Sequence, residues 1–320
     1  MDTISNPIDI AHCYLGFALH EDFAGNWEAA VRNNCKAAAL FWKAGDMKRW
    51  GDPVMMTVFL LNYKEQYQLG LELSRTVADI GEQCGDAQLM GWGMQGQGLG
   101  HFHTGQVDKA LTCLEKAVVL LESVPDHYAC GITQKDRAKC CLQQGDVHRA
   151  LAMLQRTDTQ FSEFGLKGHF AAFLRNTLAE AHLRAAEQAG SREGSLKREV
   201  VPACKAALKE SRRFRWALPE AYRLQGTCLW LRGHFGAARR SWNLSLESAE
   251  KLGAVSDFKM TRLEMKKRMG ADCPDLQRTE AVLQEMEDNL DLSDIHKMMQ
   301  ISGFERLGSR EASNTYSLIQ

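Results

Sequence analysis

In the clearest stretch of the chain, small and apolar residues fall at helical spacing. Ala110, Leu114 and Ala117 lie at i, i+4 and i+7, one stripe of a helix. Upstream, Gly98 offers a tiny position where a second helix can cross, and Gly105 stands where a left-handed turn would end that first helix. The order small residue, turn glycine, apolar or aromatic residue, alanine runs 98/105/107/110, then 138/145/147/150, then 226/233/235/238. Ala18, Gly25, Trp27 and Ala30 repeat it. Breakers recur in steps of 40: Gly25, Gly105 and Gly145 in one series, Gly45, Gly85, Pro125 and Gly165 in the other. Each unit therefore holds two helices, each closed by a breaker. Runs with strand-type alternation are absent. Such fixed self-similarity predicts an all-α stack of helical hairpins.

These offsets resemble the tetratricopeptide repeat, with its small residue in the first helix and Ala then a large apolar residue in the second. The resemblance implies a right-handed α-solenoid of about seven hairpins with a period of roughly 40 residues. It places a repeat domain over 1–290, with units at about 11–46, 50–86, 88–126, 128–166, 168–215, 216–254 and 256–290, and a capping helix with a flexible tail over 291–320. Unit two keeps the period through Val58, Tyr67 and Gly70 but loses the turn glycine. Unit five carries an insertion over 188–198 whose glycine, serine and charges predict an exposed loop. Unit seven is charged and weakly patterned, as suits a terminal cap. Turns such as Lys43-Ala44-Gly45-Asp46 and Gln83-Cys84-Gly85-Asp86 resemble the long-period repeats C-terminal to bacterial STAND ATPases, maltose-activator-like regulators among them, and to large nucleotide cyclases. The ATPase and cyclase segments themselves are not in this sequence.

Composition narrows the function. Apolar residues make up 45% and charged residues 25% of the chain, with only 6 prolines, values of a folded helical protein. A net charge of −1 lacks the basic footprint of a nucleic-acid binder. The longest apolar run, 54–61 with Thr57 allowed, falls short of the roughly 20 residues that span a membrane. Asp2 and Asp9, with no basic residue before position 11, do not make a secretory leader. Ten cysteines form no CxxC pair and read as reduced thiols of a cytoplasmic protein. Adjacent Cys140 and Cys141 point to different parts of one helix, so one is expected buried and the other partly exposed.

No HExxH, GxSxG or Walker-type element appears, and no cofactor or metal is expected. His101 and His103 lie about 200° apart on a helix, poor geometry for one ion. Lys135 and Lys139 with Arg137 form a cationic strip suited to an acidic peptide or phosphate, or simply a solvated face. The basic cluster 212–216 fits a helix C-terminus, where cations complement the dipole, better than a nucleic-acid contact.

The tetratricopeptide resemblance implies that first helices line a concave groove, at offsets −6, −3, +1, +4 and +5 from the small residue. In unit two these are Asp52, Met55, Phe59, Asn62 and Tyr63; in unit three Trp92, Gln95, Leu99, Phe102 and His103. Lys135, Lys139 and Gln143 follow in unit four, Phe173, Asn176 and Glu180 in unit five, and Glu220, Arg223, Thr227 and Trp230 in unit six. Mixed aromatic and polar character suits an interface. The expected function is a non-catalytic protein–protein interaction scaffold that binds a peptide or partner domain in this groove, either alone or as the sensor or regulatory arm of a signalling ATPase or cyclase. The alternative is a regulatory domain that senses a small molecule.

Overall fold

Gly-Asp turns set the rhythm of the structure, a computed structural model describing residues 6–191, 193–270, 273–288 and 291–301. Gly45, Gly85 and Gly145 take positive φ and end one helix, and the aspartate that follows caps the next. Asp46, Asp86 and Asp146 accept from the backbone N–H of Arg49, Leu89 and Arg149 at 3.0–3.1 Å. Such a cap contributes about 1 kcal/mol.

Six hairpins follow in order: α1 (Pro7–Ala24) with α2 (Trp27–Lys43), α3 (Met47–Tyr63) with α4 (Tyr67–Cys84), α5 (Ala87–His103) with α6 (Val107–Glu122), α7 (His127–Gln143) with α8 (Val147–Glu163), α9 (His169–Gln188) with α11 (Val201–Ser211), and α12 (Leu218–Leu231) with α13 (Phe235–Leu252). A seventh pair, α14 (Val255–Met269) and α15 (Pro274–Asp288), precedes the short α16 (Ser293–Ile301). Successive helices pack side by side, and among the described residues there is no strand. The chain is an all-α, tetratricopeptide-like solenoid. The packing small residues do what their spacing predicts: a Cβ on Gly98 would lie 2.5 Å from Leu114 of α6, and one on Gly226 2.4 Å from Trp242 of α13.

Three local expectations are corrected. The missing turn glycine of unit two is Glu65, which itself adopts φ 57° and uses its side chain elsewhere, as described below. The 188–198 insertion is not an open loop. Gly190 and Ser191 turn the chain at φ 77° and 53°, a single turn α10 (Glu193–Ser195) and a π-helical segment Leu196–Val200 follow, and Leu196 is buried with Leu183. One well-placed leucine in a polar stretch is enough to dock it. Cys140 and Cys141 are both buried, because α7 is packed on opposite sides: Cys140 meets Ala110 and Leu114, Cys141 joins Leu154 and Leu178. All ten cysteines are free thiols.

The stack curls until its ends touch. The turn Arg215–Ala217 reaches back to α1: Trp216 Nε1 donates to the Asp22 carbonyl at 2.7 Å, and Arg215 donates to the Ala24 carbonyl at 3.0 Å. The basic cluster thus does lie at a helix C-terminus, Arg212 and Arg213 at that of α11, while Arg215 also reaches that of α1. Lys259 of α14 pairs with Glu65 at 2.6 Å, and α16 lies against α2, burying Ile295 and Met298 in the largest core. The tail expected over 302–320 lies outside the described residues.

Candidate functional site

Curling encloses a cavity of about 660 Å³ between the first helices of the units. Its wall is oblique to those helices. α1, α3 and α5 supply residues from their C-terminal halves, α12 and α14 from their N-terminal halves, and α7 from most of its length. The offsets used above therefore do not act alike in every unit.

Phe59, Asn62 and Tyr63, then Phe102 and His103, line the cavity from the +1, +4 and +5 positions. Lys135, Lys139, Glu180 and Arg223 line it as well. Leu99, Gln143, Phe173 and Glu220 line it too, whereas Asp52, Met55, Trp92, Gln95, Asn176, Thr227 and Trp230 lie elsewhere. Met55 packs under Gly96 of α5, and Gln95 is buried between helices. Trp92 Nε1 donates to Asp126 Oδ2 at 2.9 Å, joining α5 to the start of α7, and Asp52 lies within electrostatic reach of the same Asp126. Asn176 is fully buried, donating to the Ala217 carbonyl at 2.9 Å and accepting from Ser211. Trp230 stacks obliquely on Trp242, 5.5 Å away. At the −6 and −3 positions of the early units, the side chains are already used in holding neighbouring hairpins together.

Aromatic rings form one side of the cavity. Tyr63 stacks on Trp216 at 4.6 Å, Phe59 meets Phe170 edge-on at 5.9 Å, and His103 stacks on Tyr67 at 4.9 Å. Burial, with Lys139 and Lys135 adding to it, drives the His103 imidazole down to about 3, so it is neutral at physiological pH.

The other side is ionic, and most of its charges are paired. Lys139 Nζ is 3.1 Å from Glu220 Oε1, with Arg223 3.6 Å from the same oxygen. Burial pushes the Glu220 carboxyl up, but Lys139 and Arg223 outweigh it and hold the group below its ordinary value. Lys135 is 2.6 Å from Asp136 and stands 6.0 Å from the Phe173 ring centroid. Arg184 pairs with Glu180 at 2.8 Å, and Lys259 with Glu65 and Glu287. The Lys135/Lys139 strip is neither a solvated face nor an open anion site; both ammonium groups already have carboxylates.

Two carboxylates are left over. Asp22 and Asp257 have no lysine or arginine ion-pair partner among the described residues. Burial raises the Asp257 carboxyl to about 7, with Glu220 adding to the shift, and burial raises Asp22 to about 6. Buried atoms of Asn62, Asp136 and Arg223, all lining residues, also lack a hydrogen-bond partner. Asn62 Nδ2 donates to the Val58 carbonyl at 2.8 Å, which fixes the amide orientation and leaves Oδ1 buried without a donor. Arg223 Nε is a buried donor without an acceptor.

Sequence reasoning missed Asp22, Asp136, Trp216 and Asp257. Asp22 is the +4 position of unit one and was within reach of the same count from Ala18. Trp216 lies in a linker and Asp257 in a unit without a clear small residue, so no spacing pointed to either.

A tetratricopeptide-repeat family model matches residues 93–157, which span most of α5 through α8. No curated protein matches the chain. Among solved structures, a Rap protein complexed with Competence and Sporulation Factor is similar at 12% identity and TM-score 0.62, covering 96% of this chain and 78% of that one. The apo form of RapI is similar at 12% identity and TM-score 0.57, covering 78% of this chain and 86% of that one. At this identity the likeness speaks for the fold.

Proposed function

We propose that this tetratricopeptide-like α-solenoid is a non-catalytic interaction scaffold that holds a short, extended peptide segment in its concave cavity. The observation that carries the reading is the cavity itself, about 660 Å³, with the rings of Phe59, Tyr63, Phe102 and Trp216 on one side and the paired charges of Lys139, Glu220 and Arg223 on the other. That volume is in the range of small-ligand sites, roughly 300–1,000 Å³, and the mixed aromatic and polar lining suits a short peptide. Supporting the reading, a solenoid of similar fold has been solved with Competence and Sporulation Factor bound. The turn sequences that resemble STAND-ATPase and cyclase repeats favour a role as the sensing arm of a signalling protein.

Incubation with a random pentapeptide pool, gel filtration and mass spectrometry of what co-elutes tests the proposal. The parent should retain peptides. Asn62→Leu combined with Phe102→Ala should retain about tenfold less, the equivalent of about 1.4 kcal/mol, with helicity unchanged. If no peptide is retained while a metabolite panel raises the melting temperature, the cavity is a small-molecule sensor instead.

A further inference from the structure

Two of the free thiols meet where the fifth hairpin joins the sixth. Cys204 of α11 and Cys228 of α12 are 2% and 5% exposed and share a small core with Leu183, Val200 and Leu224. Cys204 Sγ lies 3.8 Å from the Leu224 carbonyl oxygen. That carbonyl stands one helical turn before Cys228, and a helical side chain leans back over the turn that precedes it. The two sulfurs therefore face each other, and the thiols share a hydrogen bond. Cys140 and Cys141, although adjacent in sequence, are turned into different cores.

The pair is unequal. The hydrogen bond that Cys204 donates, together with burial, raises its thiol well above the ordinary value. The same bond holds the Cys228 thiol below its own, against burial, with Arg232 assisting. A sulfur that ionises more readily beside one that stays protonated is the arrangement of an attacking and a resolving thiol. Between them in sequence runs the linker 212–217, whose Arg215 and Trp216 donate to the α1 carbonyls and close the curl. A bond from 204 to 228 would enclose that linker in a covalent loop. Access comes from the other side of the core. Gly190 and Ser191 at positive φ, the single turn α10 and the π-helical Leu196–Val200 lead into α11, and both Leu196 and Val200 cover the cysteines' core. Irregular segments of this kind open locally at lower cost than regular helix.

We propose that Cys204 and Cys228 are a redox-active pair that a peroxide converts to a disulfide, stapling α11 to α12 across the linker that closes the solenoid. The Cys228 thiolate attacks one oxygen of hydrogen peroxide and the O–O bond breaks. Cys228 becomes a sulfenic acid, and the departing hydroxide takes up the proton the thiol had released. The Cys204 sulfur then attacks the Cys228 sulfur. The S–O bond breaks, the S–S bond forms, and the Cys204 proton leaves with the hydroxyl as water. In sum, two thiols give up two electrons and two protons, and one peroxide becomes two waters. A thiol reductant reverses the change by exchange, so in a reducing compartment the bond is transient. Once formed, it removes open arrangements in which α11 and the linker leave α12. This chemistry does not depend on what the cavity holds.

The test treats the reduced full chain with hydrogen peroxide, alkylates the remaining thiols in denaturant and digests with trypsin. Cleavage after Arg198, Lys205, Arg223 and Arg232 yields peptides 199–205 and 224–232, each with one cysteine. These two should appear joined, lighter than their sum by two hydrogens, and dithiothreitol should separate them. Cys228→Ser should abolish the joined species and leave Cys204 open to alkylation; Cys204→Ser should leave Cys228 as a sulfenic acid that dimedone traps. Hydrogen exchange over 212–217 and the last turn of α1 should slow by about tenfold on oxidation of the parent and stay unchanged in Cys228→Ser. The parent alone decides the pairing, so a variant that fails to fold leaves the test intact. Both cysteines still open to alkylation at peroxide levels that oxidise the exposed Cys13 and Cys84 would overturn the pair, as would their joining to other cysteines. A joined pair with unchanged exchange would overturn the staple.

Discussion

Asp22 and Asp257 line the cavity without an ion pair to lysine or arginine among the described residues, and their burial has a measurable consequence in the protein alone. Asp257 titrates near 7 in the folded chain against 3.8 when unperturbed, with burial as the first cause, Glu220 adding to it and Arg223 and Lys139 opposing. The folded state therefore binds more protons than the unfolded state between about pH 4 and pH 7. Stability falls as pH rises through that window. Asp257→Asn removes the effect. Its melting temperature should match the parent near pH 4 and exceed it increasingly toward pH 8; a gap that widens on acidification instead would refute this account. Glu220 differs from Asp257 only in its neighbours: two cations at 3.1 and 3.6 Å hold its carboxyl charged. Its residue type gave no hint of that difference.

At the scale of the element, α5 shows how propensity yields to packing. It contains Gly91, Gly93, Gly96, Gly98 and Gly100, each costing about 1 kcal/mol in a helix relative to alanine. A Cβ on Gly93 would lie 2.4 Å from the Ala78 backbone nitrogen of α4, and one on Gly91 2.7 Å from Leu121 of α6. The helix is thinned on two faces so that both neighbours can approach. Gly16 of α1 is the opposite case, with nothing within 4 Å of its missing Cβ. Gly16→Ala should stabilise the chain by about 0.5–1 kcal/mol. Gly93→Ala gains the same propensity but meets backbone that cannot move aside, so overpacking of about 1–3 kcal/mol or more should win and lower the melting temperature. Opposite signs in one thermal-melt experiment are the expected result. Here the sequence was readable, because glycine at a fixed offset from alanine has few other uses. The groove candidates were less so. Met55, Gln95 and Asn176, all at −3, belong to the same scheme of offsets as Phe59, Phe102 and Lys139 at +1 or +4, yet are consumed by contacts between units.

Across the whole molecule, closure is the feature that makes the site. Trp216 on α1, Lys259 on Glu65 and α16 on α2 join segments some 190 residues or more apart. An open solenoid propagates stability only between neighbours; this one returns the last helix to the first hairpin. Ile295→Ala should cost about 2–5 kcal/mol, since its side chain is fully buried. By hydrogen exchange, the loss of protection should appear in α2, far away in sequence, before it appears in α7 and α8. Uniform loss along the chain, or loss confined to α15 and α16, would show that closure contributes little.

Periodic breakers and small residues by themselves determined the helices, their pairing and the hairpin stack, because those depend on neighbours within about forty residues. That the first helices line a concave surface was an implication of the tetratricopeptide resemblance. Which side chains reach that surface, and with what net charge, was decided only by the curl of the stack. Curvature sums small rotations between units, and it brings Asp22 of the first hairpin, Trp216 of a linker and Asp257 of the seventh into one cavity. It also supplies Lys139 with Glu220, 81 residues on, so that the strip of positive charge written in the sequence is spent before any ligand arrives. No pattern local to the chain encodes such a sum.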